Sequence, residues 1–320
     1  MSQVRKAVIT AAGRGTRQYP ASNVVQKELF PLVDTDGFTK PTLQIIVEEA
    51  LNAGLEEICI VANPSNVDEI RRHFQAPTTA QRESMRGKEW ATPLLDRLAD
   101  MSQRISFVVQ ETQEGYGHAV YQTKDWVGDE AFVLLLGDHV YLAPEERNCT
   151  QQVVDVWNNF GQPVSSVAQV PEAVITRFGT LNGTLIDGHP GAYKITEMIE
   201  KPTIETARER LRAPGIPEGE YLCFFGIHVF PPVLFDCIGH LIKNDIRDKK
   251  EIQLTSAQTL LLNSVDTYIA ATVNGTRFDM GVPEGLVETQ IALALNSPFR
   301  DRVYSTIHEV EPLVKARTGA

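Results

Sequence analysis

The feature that most constrains the fold is the alternation of short apolar runs with segments of helical periodicity. Residues 6–12 form an apolar run that ends at Gly13 and Gly15, which is typical of a buried strand that enters a tight loop. Apolar residues then recur at helical spacing over residues 41–54, and residues 58–62 form a second buried strand. This order of strand, helix and strand predicts a parallel sheet with helices on its faces.

The same kinds of segment fill the rest of the chain. Residues 75–104 are interpreted as a polar helical excursion, and residues 178–200 as a β-rich patch with turns at Asn182-Gly183 and Asp187-Gly188. The further predicted strands cover residues 105–110, 131–136, 163–170, 221–230 and 267–273. The further predicted helices cover residues 66–74, 116–126, 150–160, 231–243, 253–263 and 283–296. One compact α/β unit with a β-rich insertion is the favoured architecture, and a second domain after about residue 150 is the alternative.

The composition is that of an ordinary globular protein and excludes several classes. The chain of 320 residues has 42% hydrophobic and 22% charged residues, which argues against a disordered or coiled-coil protein. Its net charge of -11 argues against sequence-independent binding of nucleic acid, because such binding neutralises phosphates with Lys and Arg. No apolar run reaches the ~18 residues of a membrane span, and the first residues are unlike a signal peptide. We therefore expect neither a nucleic-acid nor a membrane partner.

The cysteines indicate the compartment. Cys59, Cys149, Cys223 and Cys237 are far apart in the sequence and form no C-x-x-C pair. Free thiols in reducing surroundings are the simpler interpretation, so we expect a cytoplasmic protein.

A glycine-rich segment with two arginines follows the first strand. Glycines let backbone amides approach phosphate oxygens, and Arg14 and Arg17 add charge-assisted hydrogen bonds. The segment is not the dinucleotide fingerprint, which needs glycine where Gln18 stands, and it is not a P-loop, which needs a following G-K-[ST]. Residues 1–40 also contain six basic against three acidic residues on an acidic chain, which favours a small anionic ligand. A strand-to-helix turn with incidental arginines is the alternative.

Two Lys-Glu pairs are candidates for contacts with phosphates and hydroxyls. Lys27, ten residues after Arg17, could reach the same phosphates, and Glu28 could accept a hydrogen bond from a base or a ribose. Glu200 suits sugar hydroxyls and Lys201 suits a phosphate. Taken alone, either pair is more commonly a solvated surface pair.

Gln110 and Asp138 each follow a predicted strand. The amide of Gln110 both donates and accepts hydrogen bonds, which suits the imide edge of uracil. Asp138 stands at the carboxyl end of a central strand, where open α/β sheets bind ligands and where a carboxylate is a credible Mg²⁺ ligand. His118 is interpreted as a packing or loop-orienting residue and not as a general base.

The combination of these motifs resembles a known family. The pattern G-x-G-T-R followed by K-E-x-x-P resembles the signature of the sugar-1-phosphate nucleotidyltransferases, and later residues resemble the bacterial UTP–glucose-1-phosphate uridylyltransferases. The resemblance implies a Rossmann-like three-layer sandwich with a mixed, mostly parallel central sheet and a β-rich insertion. It also implies a catalytic domain over residues 1–297, with a nucleotide-binding part over about 1–140 and a sugar-phosphate-binding part over about 141–297, and a C-terminal tail over 298–320.

The resemblance also assigns roles to individual residues. The implied nucleotide-binding residues are Ala11, Ala12, Gly13, Gly15, Thr16, Arg17, Glu28, Gln110 and Gly117. The implied sugar-phosphate-binding residues are Gly179, Glu200 and Lys201, the catalytic residues Arg17, Lys27 and Lys201, and the metal ligands Asp138 and Asp279. The implied reaction is Mg²⁺-dependent attack of glucose 1-phosphate on the α-phosphate of UTP, which gives UDP-glucose and pyrophosphate. A homo-oligomer, dimer or tetramer, is implied as well.

The chain departs from the family's pattern at three places. His139 stands where a second acid is common, Gln26 replaces a common proline, and residues 34–40 look like an insertion, so nucleotide or sugar preference could differ. Three alternatives stay open: a related transferase that uses dTTP or another sugar phosphate, a non-catalytic regulatory subunit that binds nucleotide sugars, and a glycosyltransferase. The D-x-D metal motif typical of glycosyltransferases has its one match at Asp34-Thr-Asp36, in the insertion.

Overall fold

Thirteen strands and twelve α-helices are present in residues 3–318, the part of the chain that the computed structural model describes. The strands are β1 (Lys6–Thr10), β2 (Pro31–Val33), β3 (Thr39–Pro41), β4 (Glu57–Ala62), β5 (Ile105–Val109), β6 (Phe132–Leu136), β7 (His139–Leu142), β8 (Val164–Pro171), β9 (Gly179–Leu185), β10 (Ala192–Glu200), β11 (Glu220–Phe230), β12 (Ile269–Thr272) and β13 (Thr276–Asp279). The helices are α1 (Thr42–Asn52), α2 (Val67–His73), α3 (Thr79–Ser84), α4 (Ala91–Arg104), α5 (Tyr116–Tyr121), α6 (Lys124–Val127), α7 (Cys149–Phe160), α8 (Ile204–Arg210), α9 (Val233–Lys243), α10 (Leu254–Ser264), α11 (Pro283–Leu295) and α12 (Arg300–Thr318). Across these residues, no helix combines the length and the apolar character needed to cross a membrane.

The chain divides into two units, and neither is one continuous segment. The larger, here called the sheet unit, comprises the chain up to Gly13 together with Glu49–Leu136 and Leu142–Thr276. The smaller, here called the small unit, comprises Arg14–Glu48, Gly137–Tyr141 and the chain from Arg277 onward. The chain therefore passes into the small unit directly after β6 and three residues after the end of β1.

The sheet unit is built on one mixed sheet. Its nine strands follow the order β5-β4-β1-β6-β11-β8-β12-β10-β9. β5, β4, β1 and β6 are parallel neighbours, as the order of strand, helix and strand predicts. Only β11 and β10 run opposite to the other strands of this sheet, which confirms a mixed, mostly parallel arrangement. β1 lies between β4 and β6, so Ala7, Val8 and Ile9 are fully buried.

One of the two predicted turns is confirmed and the other is wrong. Asp187 and Gly188 lie in the turn between β9 and β10, where Gly188 has a φ of +76°. Asn182 and Gly183 instead lie inside β9, opposite an irregularity in the register of β10. A β-carbon on Gly183 would lie 2.7 Å from the carbonyl oxygen of Lys194, so this glycine permits close contact between strands and not a turn.

The small unit contains short strands, 3₁₀ helices, the first turns of α1 and the last two helices. β2 and β3 form an antiparallel pair, and β7 pairs with β13. Gln290 of α11 exchanges two hydrogen bonds with the backbone of Val33 on β2, and α12 packs against α11. The sequence does not predict these strands, because three or four residues are too few to establish a periodicity. Most of the expected C-terminal tail is the helix α12.

Candidate active site

Side-chain amides hold the carbonyl oxygens of the loop that follows β1 in the sheet unit. Asn66 Nδ2 donates to the carbonyl of Ala11 at 2.9 Å. Gln113 Nε2 and Asn63 Nδ2 donate to the carbonyl of Ala12 at 2.7 and 3.2 Å. Carbonyl oxygens repel anions, so a loop whose carbonyls face protein donors suits a phosphate better than one whose carbonyls are unpaired. Sequence reasoning missed both asparagines, although each is a polar residue that follows the apolar strand β4.

The glycine-rich segment continues into the small unit as a tight turn. Gly15 has a φ of +62° and precedes the 3₁₀ helix Thr16–Gln18. A β-carbon on Gly15 would lie 3.7 Å from the side chain of Lys27 and would be strained by the positive φ. Gln18 is buried and donates from Nε2 to the carbonyl of Met280 at 2.9 Å. This bond fixes the 3₁₀ helix to the segment that follows β13.

Lys27 and Asp138 form a buried ion pair within the small unit. The Lys27 ammonium contacts Asp138 Oδ2 and lies 3.7 Å from Glu28 Oε1. Burial lowers the pKa of Lys27, but the charge of Asp138 and the hydrogen bond to it outweigh this effect and raise the pKa above its usual value. Burial likewise raises the pKa of Asp138, but the charge of Lys27 outweighs it and the pKa lies below its usual value. Both groups are therefore charged at neutral pH.

The pKa of Glu28 is raised, in contrast to that of Asp138. Burial raises its pKa to about 8, although the charge of Lys27 opposes this shift. Its Oε2 atom is buried and has no hydrogen-bond partner among residues 3–318. A carboxyl group with such a pKa is largely protonated at neutral pH, so Glu28 can donate a hydrogen bond as well as accept one.

Asp138 and Asp279 come together in space although they are far apart in the sequence. β7 pairs with β13, and the N–H of Met280 donates to the carbonyl of Asp138 at 2.8 Å. A β-carbon on Gly281 would lie 2.9 Å from Asp138 Oδ2, 2.8 Å from Asp279 Oδ1 and 2.6 Å from Arg17 Nη2. Gly281 thus leaves a space bounded by these three side chains, here called the Gly281 cradle. Two carboxylate oxygens beside such a space are a donor set that suits Mg²⁺.

His139 adds no charge to the Gly281 cradle at neutral pH. Burial lowers its pKa to about 4, although the charge of Asp138 opposes this shift. Its Nε2 lies 3.9 Å from Asp279 Oδ1, and its Nδ1 is buried with no partner in the described part of the chain. A neutral ring therefore stands where a second acid is common in the family, and the carboxylates that bound the cradle are those of Asp138 and Asp279.

In the sheet unit, Gln110 lies against the segment that begins α5. The residue is only 3% exposed, and its Nε2 lies 3.1 Å from the carbonyl of Gly115 and 3.0 Å from Nδ1 of His118. The N–H of Gly117 donates to the carbonyl of Ile252 at 2.8 Å, and a β-carbon on Gly117 would lie 2.9 Å from that oxygen. Glycine at this position therefore permits close packing of two backbone segments.

The three predicted sugar-phosphate residues also come together in the sheet unit. Gly179 and Glu200 are paired across β9 and β10, and a β-carbon on Gly179 would lie 2.9 Å from Glu200 Oε2 and 2.7 Å from the ring of Phe224. Lys201 has a φ of +49°, and its Nζ lies 3.6 Å from Glu200 Oε1. Thr255 Oγ1 donates to Glu200 Oε2 at 2.8 Å. No sequence motif marks Thr255 or Phe224, so sequence reasoning missed both.

A lysine contacts the two acidic residues of the inserted segment and one acidic residue of α1. Asp34, Asp36 and Glu48 have the mutual spacing of cation ligands, but the buried Lys40 ammonium lies 2.7, 2.6 and 2.9 Å from their oxygens. Burial lowers the pKa of Lys40, and the three carboxylates outweigh this and raise it above its usual value. The D-x-D triplet of the sequence therefore serves an internal ion-pair network.

Each unit thus gathers its own set of predicted site residues. The small unit contains Gly15, Thr16, Arg17, Lys27, Glu28, Asp138 and Asp279. The sheet unit contains Ala11, Ala12, Gly13, Gln110, Gly117, Gly179, Glu200 and Lys201.

Comparisons with known proteins identify the family of the chain. The family model described as nucleotidyl transferase matches residues 6–294. The UTP–glucose-1-phosphate uridylyltransferase of Staphylococcus haemolyticus is 32% identical over 97% of this chain and 99% of its own length. The enzyme of the same name from Bacillus subtilis is 33% identical over 95% of this chain and 96% of its own length.

Solved structures give the same answer at the level of the fold. A UDP-glucose pyrophosphorylase from Acinetobacter baumannii has a TM-score of 0.77 at 25% identity and covers 96% of this chain and 99% of its own. A UDP-glucose pyrophosphorylase solved in complex with UDP-glucose has a TM-score of 0.72 at 25% identity and covers 90% of this chain and 98% of its own. The Rossmann-like fold and the family that the motifs resemble are both confirmed. The chain belongs to the nucleotidyl transferase family.

Proposed function

We propose that this enzyme transfers a uridylyl group from UTP to glucose 1-phosphate and releases pyrophosphate, so that UDP-glucose is formed. The two relatives that carry the name of this reaction match nearly the whole chain. The observation that carries the proposal is the convergence of Arg17, Asp138 and Asp279 on the Gly281 cradle. Transfer between phosphates requires both a cationic side chain and carboxylates that can hold a divalent cation.

The reaction depends on alignment and on charge neutralisation and requires no general base. A phosphate oxygen of glucose 1-phosphate is already anionic at neutral pH and attacks the α-phosphorus of UTP in line with the leaving group. A bond forms between that oxygen and the α-phosphorus, and the bond from the α-phosphorus to the bridging oxygen breaks. The electron pair of the broken bond leaves with pyrophosphate.

Cationic and backbone groups stabilise the phosphates in this proposal. Arg17 and the N–H groups of Gly13 and Gly15 stabilise the departing pyrophosphate, and Ala11, Ala12 and Thr16 contribute to the same loop. Lys27 and Lys201 offset the charge on the two reacting phosphates.

Asp138 and Asp279 would hold Mg²⁺ at the Gly281 cradle. A bound Mg²⁺ neutralises part of the charge on the phosphates. The donor set fits this ion because both residues offer carboxylate oxygens and because the lowered pKa of Asp138 keeps it ionised. Lys27 places its ammonium on the same Asp138 oxygen, so it supplies positive charge beside the cradle.

The remaining residues bind the base and the sugar. Gln110 and Gly117 hold the base, and Glu28 hydrogen-bonds the base or the ribose. Glu200 accepts hydrogen bonds from sugar hydroxyls, and its position is supported by the bond from Thr255. Gly179 contacts the sugar through its backbone. On this assignment about residues 1–140 bind the nucleotide and about residues 141–297 bind the sugar phosphate.

A homo-oligomer, dimer or tetramer, is the proposed state in solution. Four large apolar residues recur every third position along α12 and form a ridge on its surface, and each is between 45% and 64% exposed. These residues are Tyr304, Ile307, Val310 and Leu313. A second copy of the chain is the proposed occupant, because exposed apolar residues that follow one another along a helix commonly mark an interface and most oligomers are formed by copies of one chain. The four cysteines are buried and form no disulfide among the described residues, which is consistent with the proposed location in the cytoplasm.

Pyrophosphate release tests the reaction. The protein is mixed with glucose 1-phosphate, Mg²⁺ and one of UTP, dTTP, CTP, ATP or GTP, and release is expected to be highest with UTP. Preference for dTTP would replace UTP as the substrate within the same family. Absence of release with every nucleotide and with other sugar phosphates would overturn the proposal and favour a regulatory subunit that only binds nucleotide sugars.

A further inference from the structure

We infer that His118 is a positioning residue that fixes the side-chain amide of Gln110, so that only the amide oxygen is free to meet the nucleotide base. As a result, the enzyme would require a base that presents an N–H group at that point. The inference rests on the proposed contact between Gln110 and the base and deepens it. It concerns which base is accepted and adds no catalytic step.

The carbonyl of Gly115 fixes which end of the Gln110 amide faces the protein. A backbone carbonyl accepts hydrogen bonds and cannot donate them. The nitrogen and oxygen of an amide have nearly the same shape, so their hydrogen-bond partners distinguish them. The amide atom that lies 3.1 Å from the Gly115 oxygen is therefore the nitrogen Nε2.

His118 then uses the second hydrogen of the same nitrogen. Its Nδ1 lies 3.0 Å from Gln110 Nε2, so Nδ1 accepts and the ring proton resides on Nε2 of the imidazole. The amide nitrogen of Gln122, one turn further along, donates to the backbone carbonyl of His118 at 3.2 Å and lies 3.1 Å from that ring Nε2. Both nitrogens carry hydrogen there, so this contact with the opposite edge of the ring is not a hydrogen bond, and the imidazole is held through Nδ1.

These two contacts leave Gln110 able only to accept a hydrogen bond. Both hydrogens of its amide are engaged by Gly115 and His118, and no residue within 3–318 donates to its Oε1. Uracil presents N3–H, which this oxygen accepts. Cytosine presents an unprotonated N3 at the same point, so two acceptors would face each other. Thymine shares the N3–H group, so this orientation of the Gln110 amide excludes cytosine but does not distinguish UTP from dTTP.

Kinetic selectivity between UTP and CTP tests the inference. The ratio of kcat/KM for UTP to that for CTP is measured for the wild-type enzyme and for His118→Phe, His118→Ala and His118→Asn. Phe and Ala remove the acceptor, whereas Asn places Oδ1 close to the position of Nδ1. Gln122→Met is the matched control, because Gln122 contacts the ring but has no bond to Gln110.

We expect the UTP-to-CTP ratio to fall at least about fivefold in the Phe and Ala variants, because the Gly115 carbonyl alone then holds the Gln110 amide, and the amide can turn its nitrogen towards the base at the cost of one hydrogen bond. The ratio in His118→Asn and in Gln122→Met is expected to stay within roughly threefold of wild type, and the ratio of UTP to dTTP is expected to remain unchanged in all variants. An unchanged UTP-to-CTP ratio in a folded Phe or Ala variant would overturn the inference. So would an equal loss with both nucleotides, because this is what a purely structural role produces.

The proposed function is checked separately. The proposed function is refuted if the wild-type enzyme releases no pyrophosphate from UTP. Only the role of His118 is refuted if the wild-type enzyme is active and the UTP-to-CTP ratio changes in Gln110→Ala but not in the His118 variants. The variants are first compared by circular dichroism and thermal unfolding.

Discussion

Lys27 and Asp138 form an ion pair in which only 12% of each side chain is exposed. Lys27 belongs to the 3₁₀ helix Lys27–Leu29, and Asp138 stands just before β7. Two charges this far from water stabilise each other, and removal of one leaves the other buried without compensation. The pair therefore links the stability of the small unit to charges that the proposed reaction uses.

Substitution of either member of this pair is expected to lower both stability and activity. Lys27→Met and Asp138→Asn should each lower the free energy of unfolding by roughly 3 kcal/mol, and the double variant by less than the sum. Asp138→Asn should also lower kcat by at least about 100-fold, because it removes a carboxylate from the Gly281 cradle. Urea unfolding and pyrophosphate release measure the two effects. Strictly additive stability losses would show that the pair is not coupled.

Lys201 is expected to affect activity without affecting stability. Its side chain is half-exposed and ion-paired only with Glu200 among the described residues, so its removal costs little folding energy. Loss of a preorganised cation at a reacting phosphate typically costs about 2.7–4 kcal/mol, or roughly 100- to 1000-fold in kcat. Lys201→Ala is compared with Lys194→Ala, because Lys194 is an exposed lysine on β10, the strand that ends just before Lys201. Wild-type turnover in Lys201→Ala would remove this residue from the proposed site.

Gly281→Ala is expected to block the cradle. The added β-carbon would lie within 3 Å of Arg17, Asp138 and Asp279, so these groups must move apart. We expect a fall of at least about 100-fold in kcat and a higher requirement for Mg²⁺, because the carboxylates lose their arrangement. Gly239→Ala on α9 is the control, since its β-carbon would have no neighbour closer than 3.4 Å. If the Mg²⁺ concentration required for activity in Gly281→Ala and in Gly239→Ala were the same as in the wild-type enzyme, this would contradict the proposed metal site.

Sequence patterns predict the parts of the fold that rest on long apolar runs. β1, β4 and β6 were predictable because buried parallel strands are largely apolar, and β5 because four of its five residues are apolar although it lies at the sheet edge. The motifs that follow these strands locate Asp138 and Gln110. β7 and β13 were not predictable, because strands of four residues have no periodicity that stands out. The role of Thr255 depends on Glu200, 55 positions away, which only folding brings close, whereas for His118 the sequence indicates an orienting role but not its partner Gln110. A sequence motif can indicate a residue that contacts a ligand. The partners that orient the side chain of that residue are identified from tertiary contacts.

The ridge on α12 predicts the state of association. Ile307→Asp and Val310→Asp each place a charge among the exposed apolar residues Tyr304 and Leu313. A charge in an apolar interface is costly, so either substitution should convert the oligomer to monomers at micromolar concentration. Light scattering coupled to gel filtration gives the mass directly. Ser305→Asp, elsewhere on the same helix, serves as the comparison, and an unchanged mass in both ridge variants would place the interface elsewhere.

Glu49 is expected to make the stability of the protein depend on pH. It lies on α1, where Oε1 accepts a hydrogen bond from the N–H of Thr150 at 2.9 Å, and burial raises its pKa to about 7. In the unfolded chain a glutamate titrates near 4.3. Below that pH both states are protonated and Glu49 has no effect. As the pH rises towards 7 the unfolded state loses its proton first, so the folded state becomes progressively less favoured, and above 7 this loss is complete.

Glu49→Gln keeps the acceptor for Thr150 and removes the titration. The free energy of unfolding of this variant relative to wild type should therefore be larger at pH 8 than at pH 5, by about 2 kcal/mol. Urea unfolding at the two pH values measures the difference. Glu69→Gln, an exposed site on α2, controls for the general loss of one negative charge. A difference that is the same at both pH values would mean that Glu49 ionises equally in the folded and unfolded states.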